Sequence, residues 1–367
     1  MLNILDFGAV GDGKTDNTLA IQAALDHAAE LRCSVLVPEG RFLTSTLKIP
    51  SYCGLVGNPS WGYRDTGGSV LELNDPSATG LLDVTGCIGV SIVGLCLEGH
   101  QLGQHTHGIN LDNESFGGYG EENTLLIDGC RINGFTGNGV NLNRAWCFSI
   151  RHCMISSNGG NGIWLRGWDG FILDNWLSGN EQAGMGAYEE NASVTFTGNR
   201  VEWNFTAGIE IHGGDHYNIT GNFFDRHGGP AIELRDRNGV PASQITVTGN
   251  VIYRNGKPAR CGSEPYDSSH IRCINAESVI ISQNVCQVGH DDPNDPNGDG
   301  PSPDWGIVYG GLNHCIIKDN ILHQGFRKEM LADLGEHLGS VVVKDNIGSQ
   351  YTTTKSVEMN VAVANHA

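Results

Sequence analysis

From about residue 127 onward, apolar and polar positions recur as one short unit: IDGCRI, IRHCMI, LDNWLS, FTGNRV, ITGNFF, VTGNVI, ISQNVC, IKDNIL and VKDNIG. The aligned corner position of this unit, third in LDNWLS and fourth in the others, falls at Cys130, Cys153, Asn175, Asn199, Asn222, Asn250, Asn284, Asn320 and Asn346. The first five lie 22 to 24 residues apart, and later intervals reach 28, 34 and 36, which indicates loops inserted into an unchanged unit. A second strand alternates strictly within the units, as in GVNLN, GIWLR, GMGAY, GIEIH and AIELR. Its inward positions, such as Ile209 and Ile211, are apolar, and the residues between them are polar or large. One unit cannot bury its apolar face alone, whereas stacked units share a continuous core. A period near 23 with three short strands per turn predicts an all-β chain wound as a right-handed parallel β-helix. Asn at the repeated corner is expected to bond the equivalent residue one turn along, satisfying backbone groups at a tight bend. Cys130 and Cys153 stand at that corner as small packing residues.

Composition agrees with this reading. Among 367 residues, 52 are Gly and only 17% are charged, and helix formers concentrate near the N-terminus. The formal charge of −19 argues against nucleic acid as a partner, because no Lys and Arg cluster to meet phosphates. It also disfavours a polyanionic substrate unless a cation bridges it. Eleven cysteines without a C-x-x-C pair argue against a disulfide framework or a zinc site. Four N-x-S/T sequons, Asn204-Phe-Thr and Asn218-Ile-Thr among them, read as chance in an Asn-rich chain. There is no run of 18 apolar residues and no charged-then-apolar leader, so neither a membrane helix nor a signal peptide is expected, and no compartment is assigned.

The N-terminal stretch GAVGDGKT, Gly8 to Thr15, matches the phosphate-binding pattern G-x-x-x-x-G-K-[ST], between a strand-like run and a helix-like one. Nucleotide binding by Lys14 is nevertheless not expected. Such a loop belongs to a sheet flanked by many helices, here only one helix is foreseen, and Asp12 and Asp16 place negative charge where a phosphate would sit. The longer run LDFGAVGDGKTDNTLAIQAALDHAAE, followed by VLVPEGRFLTSTLKIPS, resembles the opening of the pectate-lyase-like β-helix superfamily. The Asn-bearing coils resemble the remainder. That resemblance implies a helix capping the first coil and protecting its open edge, with Asp16 or Thr18 capping the helix. It implies one β-helix domain over 1–367, with cap and first strands at 1–50, on the order of ten coils at 51–350, and a tail at 351–367. The superfamily spans glycoside hydrolases, polysaccharide lyases, epimerases, fructan-processing transferases and phage tailspikes. A polysaccharide or oligosaccharide partner is therefore implied, and a homotrimer is compatible with the tailspike branch.

By the same resemblance, GIEIH belongs to the sheet on which a sugar chain lies. Its outward columns read Asn110, Asn141, Trp164, Gly186, Glu210 and Glu233, and beside them Asp112, Asn143, Arg166, Tyr188, His212 and Arg235. Coils stack roughly 4.8 Å apart, so Glu210 and Glu233 are expected as direct neighbours. Two carboxyls that close raise the proton affinity of one of them. Such a pair suits glycoside cleavage, at a spacing nearer the retaining than the inverting mechanism. Arg166, His212 and Arg235 would orient hydroxyls or tune the carboxyls. Alternatively, His212 and Tyr188 serve as base and acid at C5 of a uronate. AGIEIHGG resembles the acid-x-His signature of alginate epimerases and lyases, with Glu in place of Asp and no matching Lys. The paired-Asp, Gly-His-Gly and Arg-Ile-Lys signatures of polygalacturonases are absent. Inulin fructotransferases share a similar coil spacing with an acid-Asn pair, which makes Glu190, with Glu189, a second-rank candidate. A non-catalytic glycan-binding or phage-structural β-helix is the other class.

Trp164 and Tyr188 are expected to face outward to stack on sugar, with Trp168, Trp203 and Trp305 at the edges and Trp176 packed. Inserted segments 256–269 and 288–304 should wall one side of the cleft. Asp295, Asn297 and Asp299 match the first half of a calcium loop, but its twelfth position is Gly306 rather than Glu, so a polar turn is the reading and Ca²⁺ the alternative. No other cofactor is expected.

Overall fold

The computed structural model describes residues 1–59, 61–62, 67–116, 122–257, 264–290, 300–352 and 361–366. Asp295, Asn297 and Asp299 lie outside these residues, as do parts of both inserted segments. The chain divides into two compact units, Met1–Glu181 and Gln182–Ala367, each built from parallel coils. The all-β parallel helix read from the repeat is therefore observed.

The N-terminal unit opens with a single turn, Ile4–Phe7, closed by Gly8 at φ 91°. The strand Asp12–Asp16 and the helix Thr18–Leu31 follow. Ile21, Ala24, Leu25 and Ala28 recur at helical spacing and are buried, so one face of the helix covers the first coil. Asp16 Oδ1 accepts the Thr18 amide at 2.9 Å, while the N-cap position itself is Asn17, whose side chain makes no capping bond. Within the phosphate-loop look-alike, Asp12 Oδ1 accepts the amides of Lys14 at 2.9 Å and Thr15 at 2.8 Å. The amides a phosphate would need are thus held by the protein's own carboxylate. Gly11 serves packing instead, since a Cβ there would stand 2.8 Å from the Phe42 ring.

Further along this unit, His107–Asp112, Val140–Arg151 and Ile163–Leu173 stack in parallel register. The last two run through what the repeat suggested would be a turn between strands, with a register shift between Asn143 and Ala145 absorbing the bend. A four-residue helix at Asn113–Phe116 adds to the one foreseen. At the repeated corner, the Cys130 amide donates to Cys153 Sγ at 3.4 Å, and the Cys153 amide donates to Asn175 Oδ1 at 3.0 Å. Both cysteines are fully buried, as small corner residues should be.

In the C-terminal unit, the first sheet comprises Met185–Tyr188, Ile209–His212, Ile232–Arg235, Ser269–Ile274, Trp305–Gly310 and Glu329–Asp333. All pair in parallel, with Ile209 and Ile211 in the core. The Asn ladder runs from Asn199 to Asn346, each amide donating to the next side-chain oxygen at 2.9 to 3.1 Å. Asn250 illustrates its economy. Oδ1 accepts from the backbone and side chain of Asn222, while Nδ2 donates to Ile219 O at 3.1 Å and to Asn284 Oδ1 at 2.9 Å. Asn250→Ala is expected to cost about 3 kcal/mol, because two buried backbone groups lose their partners. Denaturant unfolding checks this, and a loss below roughly 1 kcal/mol would show that water or local relaxation replaces the ladder.

A second ladder at another corner was not anticipated. Asn204 donates its amide to His227 Nδ1, and His227 donates its amide to Asn255 Oδ1, each at 3.3 Å. Asn158 and Asn180 form the same arrangement in the N-terminal unit. The Asn204 sequon thus lies in a buried ladder. Within the C-terminal stretch, Val361–His366 forms a strand antiparallel to Val341–Gln350, covering an edge that would otherwise expose unpaired backbone.

Candidate functional site

The first sheet of the C-terminal unit brings the candidate residues together because parallel register carries an outward position straight to the next coil. Glu210 is the register partner of Glu233, and His212 that of both Tyr188 and Arg235. The Tyr188 hydroxyl donates to Glu210 Oε2, and the Tyr188 ring meets the His212 ring edge-on with centroids 5.1 Å apart. His212 Nε2 lies 4.0 Å from Glu233 Oε2, is buried and makes no hydrogen bond. Glu233 Oε1 faces Arg235 at 3.5 Å and Arg272 at 3.9 Å.

Electrostatics act on Glu233 and Tyr188. Burial pushes Glu233 toward its neutral form, but His212, then Arg272 and Arg235, outweigh it and hold its pKa below the ordinary Glu value. The expectation that crowding raises the proton affinity of one carboxyl therefore fails for Glu233. Tyr188 is pushed far up, first by burial and then by the charge and hydrogen bond of Glu210, so its proton stays on the phenol.

Arg272 was missed by sequence reading, as were Asp267 and Tyr266. Arg272 is the register partner of Glu233, but the loop at 256–269 breaks the 23-residue rhythm before it. The signal was the alternation in HIRCI, which places Arg272 outward between buried Ile271 and Cys273. Asp267 Oδ1 anchors the Arg272 guanidinium at 2.7 Å. Arg272→Gln is expected to move the acid limb of the pH–rate profile upward, since removing a cation raises the Glu233 pKa. An unmoved limb would assign Arg272 to packing alone.

Other sequence candidates have different surroundings. Arg166 pairs with Glu114 of the short helix and with Asn143 at 3.5 Å, so its guanidinium is engaged within the N-terminal unit. Asp112 accepts from Asn143 at 2.8 Å, also in that unit, where Trp164 is half-buried as the register partner of Asn141. Glu189 pairs with Arg237 at 2.7 Å. The Glu190-Asn191 pair is split: Glu190 is exposed, whereas Asn191 is buried and accepts the Tyr217 hydroxyl at 2.6 Å. Trp203 lies beneath Arg226 and Lys257, at 4.4 and 4.8 Å from its ring centroid. Trp305 lies 5.0 Å from Tyr266, with Lys328 5.5 Å from its ring. Trp176 packs on Trp61, as a position beside the ladder should.

Coils, ladder and capping helix together define the class. Residues 108–347 match the right-handed β-helix region, and the chain belongs to that family. Residues 1–68 match a family described as rhamnogalacturonase A/epimerase, pectate lyase-like. Among solved structures, the chain is similar to the A-module of mannuronan C-5 epimerase AlgE4 from Azotobacter vinelandii, at 18% identity and a TM-score of 0.72, over 96% of this chain and 100% of that one. It is similar to tailspike protein 2 of the Escherichia coli O157:H7 bacteriophage CAB120, at 17% identity and a TM-score of 0.67, covering 87% of this chain and 42% of that one. The Agl-KA catalytic domain matches at 15% identity and a TM-score of 0.64, over 94% of this chain and 68% of that domain. At these identities the likeness concerns the fold.

Proposed function

We propose that the protein is a carbohydrate-active enzyme that cleaves glycosidic bonds in a neutral or weakly charged glycan, with Glu233 and Glu210 as its working pair. One observation carries this reading: two cross-strand carboxyls stand in register, and one of them, Glu233, faces His212, Arg235 and Arg272. In the proposed first step the Glu210 carboxyl gives its proton to the glycosidic oxygen as that C–O bond breaks. The Glu233 carboxylate bonds to the anomeric carbon. Water then loses a proton to Glu210 and attacks the same carbon, releasing Glu233 as a carboxylate. Tyr188 occupies one Glu210 oxygen, which leaves the other to carry the proton.

A second reading is favoured by the unpartnered His212 Nε2 beside Tyr188. His212 would take the C5 proton of a uronate and Tyr188 would return one, giving elimination or epimerisation. The name of the mannuronan epimerase is in keeping with this chemistry, and Arg235, Arg237 and Arg272 stand among the carboxylates around the pair. A glycan-panel digestion separates the two readings. New reducing ends without ultraviolet absorbance from unsaturated uronates are expected. Unsaturated products, a changed uronate configuration without cleavage, or binding without turnover would each sink the hydrolytic proposal.

A further inference from the structure

A cavity of about 380 Å³ lies at the ends of the first-sheet strands in the C-terminal unit, away from the carboxylate pair itself. Its wall rises coil by coil. Asp236 follows Arg235, Asn275 follows Ile274, and Gly311 follows Gly310, and these preceding residues are successive register partners. Glu336 and Leu338 complete it one coil further on. The cavity therefore begins on the coil that carries Glu233 and extends over three further coils, a length of about 14 Å at the usual strand spacing.

Its chemistry is one-sided. Asp236, Glu277 and Glu336 contribute carboxylates, Asn275 and Asn313 contribute carboxamides, and no Lys or Arg lines it among the described residues. Asp236 Oδ1 accepts from Asn275 Nδ2 at 2.8 Å, which fixes the Asn275 amide. A Cβ on Gly311 would lie 2.1 Å from Asn275 Oδ1, and one on Gly339 would lie 2.1 Å from Asn313 Oδ1. Two glycines thus leave room for two amide oxygens. Pro241 and the exposed Leu338 add apolar surface at the rim. Acceptors in excess, apolar patches and an absence of lining cations suit a ligand rich in hydroxyl donors and carrying no charge. They oppose a polyuronate, whose carboxylates would face carboxylates.

We infer that this cavity is a subsite for the neutral, hydroxyl-rich part of a glycan leading away from the bond cleaved at Glu210 and Glu233. The inference rests on the proposed function and narrows it to neutral chains of several units. Calorimetric titration of the Glu233→Gln protein with neutral gluco-, galacto- and manno-oligosaccharides of two and six units, and with six-unit oligomannuronate, tests it. At least one neutral series should bind roughly tenfold more tightly at six units than at two. The additional pair Asn313→Ala and Glu336→Ala should remove that advantage with an unchanged melting temperature. Oligomannuronate should bind more weakly than the neutral six-unit chain at low salt. The inference is overturned if the length advantage survives the paired substitution, if oligomannuronate binds equally well, or if no neutral chain binds. Should Glu210→Gln and Glu233→Gln keep full turnover while the cavity variants lose length dependence, the subsite stands and the carboxylate assignment falls.

Discussion

Glu233→Gln is expected to lower turnover by about a thousandfold, on substrates with good and poor leaving groups alike. The reason is its proposed place on the anomeric carbon, where no leaving group compensates for a missing nucleophile. Glu210→Gln should behave differently. A glycan whose leaving oxygen needs a proton should suffer a comparable loss, whereas a dinitrophenyl glycoside, whose leaving group departs without protonation, should show an almost normal first step and accumulate the glycosyl enzyme. Steady-state rates and intact mass measured on both substrates check the pair. Equal losses on both substrates for both variants would remove the division of roles, and unchanged turnover in both would remove the site. Circular dichroism of each variant excludes misfolding, which matters because Gln at 233 leaves Arg235 and Arg272 without their shared anion.

The fold was legible because its determinants are local and repeated. Ile209 and Ile211 show the inward face within a few residues, and the Asn at each corner reports the register of a whole coil. Glu210, His212 and Glu233 could be placed for the same reason, since parallel register converts one alignment into a column. Legibility ended where a partner came from outside the period. Arg272 was hidden behind an inserted loop, and it joins His212 in lowering the Glu233 pKa. Glu114 takes Arg166 from a short helix that no repeat announces. The second ladder escaped notice because one of its rungs is His227, which shares no side-chain formula with Asn but presents an acceptor and a donor at similar reach. Periodicity reads residues by similarity, while the backbone groups at a corner require only matching hydrogen bonds.

That substitution makes the C-terminal unit acid-sensitive. His227 accepts the Asn204 amide at Nδ1 and places Nε2 3.1 Å from Val201 O, so the neutral ring with its proton on Nε2 satisfies both neighbours. Protonating Nδ1 removes the acceptor and charges a fully buried ring, and burial holds the pKa down to about 3. His270, whose ring nitrogens make no well-formed hydrogen bond, is held to about 3 by burial as well, and His107 of the N-terminal unit to about 4. Each folded value lies below the unfolded one near 6.5, so the unfolded chain binds protons first as pH falls. Stability from these groups is complete above about pH 6.5 and lost progressively toward pH 3 to 4. At pH 5 each costs about 2 kcal/mol, together enough to lower the melting temperature by roughly 8 °C in a chain of this length. His227→Asn should recover about a third of that loss, because an Asn there can accept from Asn204 and donate to Val201 as Asn222 donates to Phe196 O at 3.0 Å. His227→Ala should also flatten the pH response, but with lower stability at every pH, since the Asn204 amide and Val201 carbonyl lose their partner. Melting curves from pH 7.5 to 4.5 decide the matter. If His227→Asn follows the parent throughout, the ring is already protonated in the native ladder and the acid lability arises elsewhere.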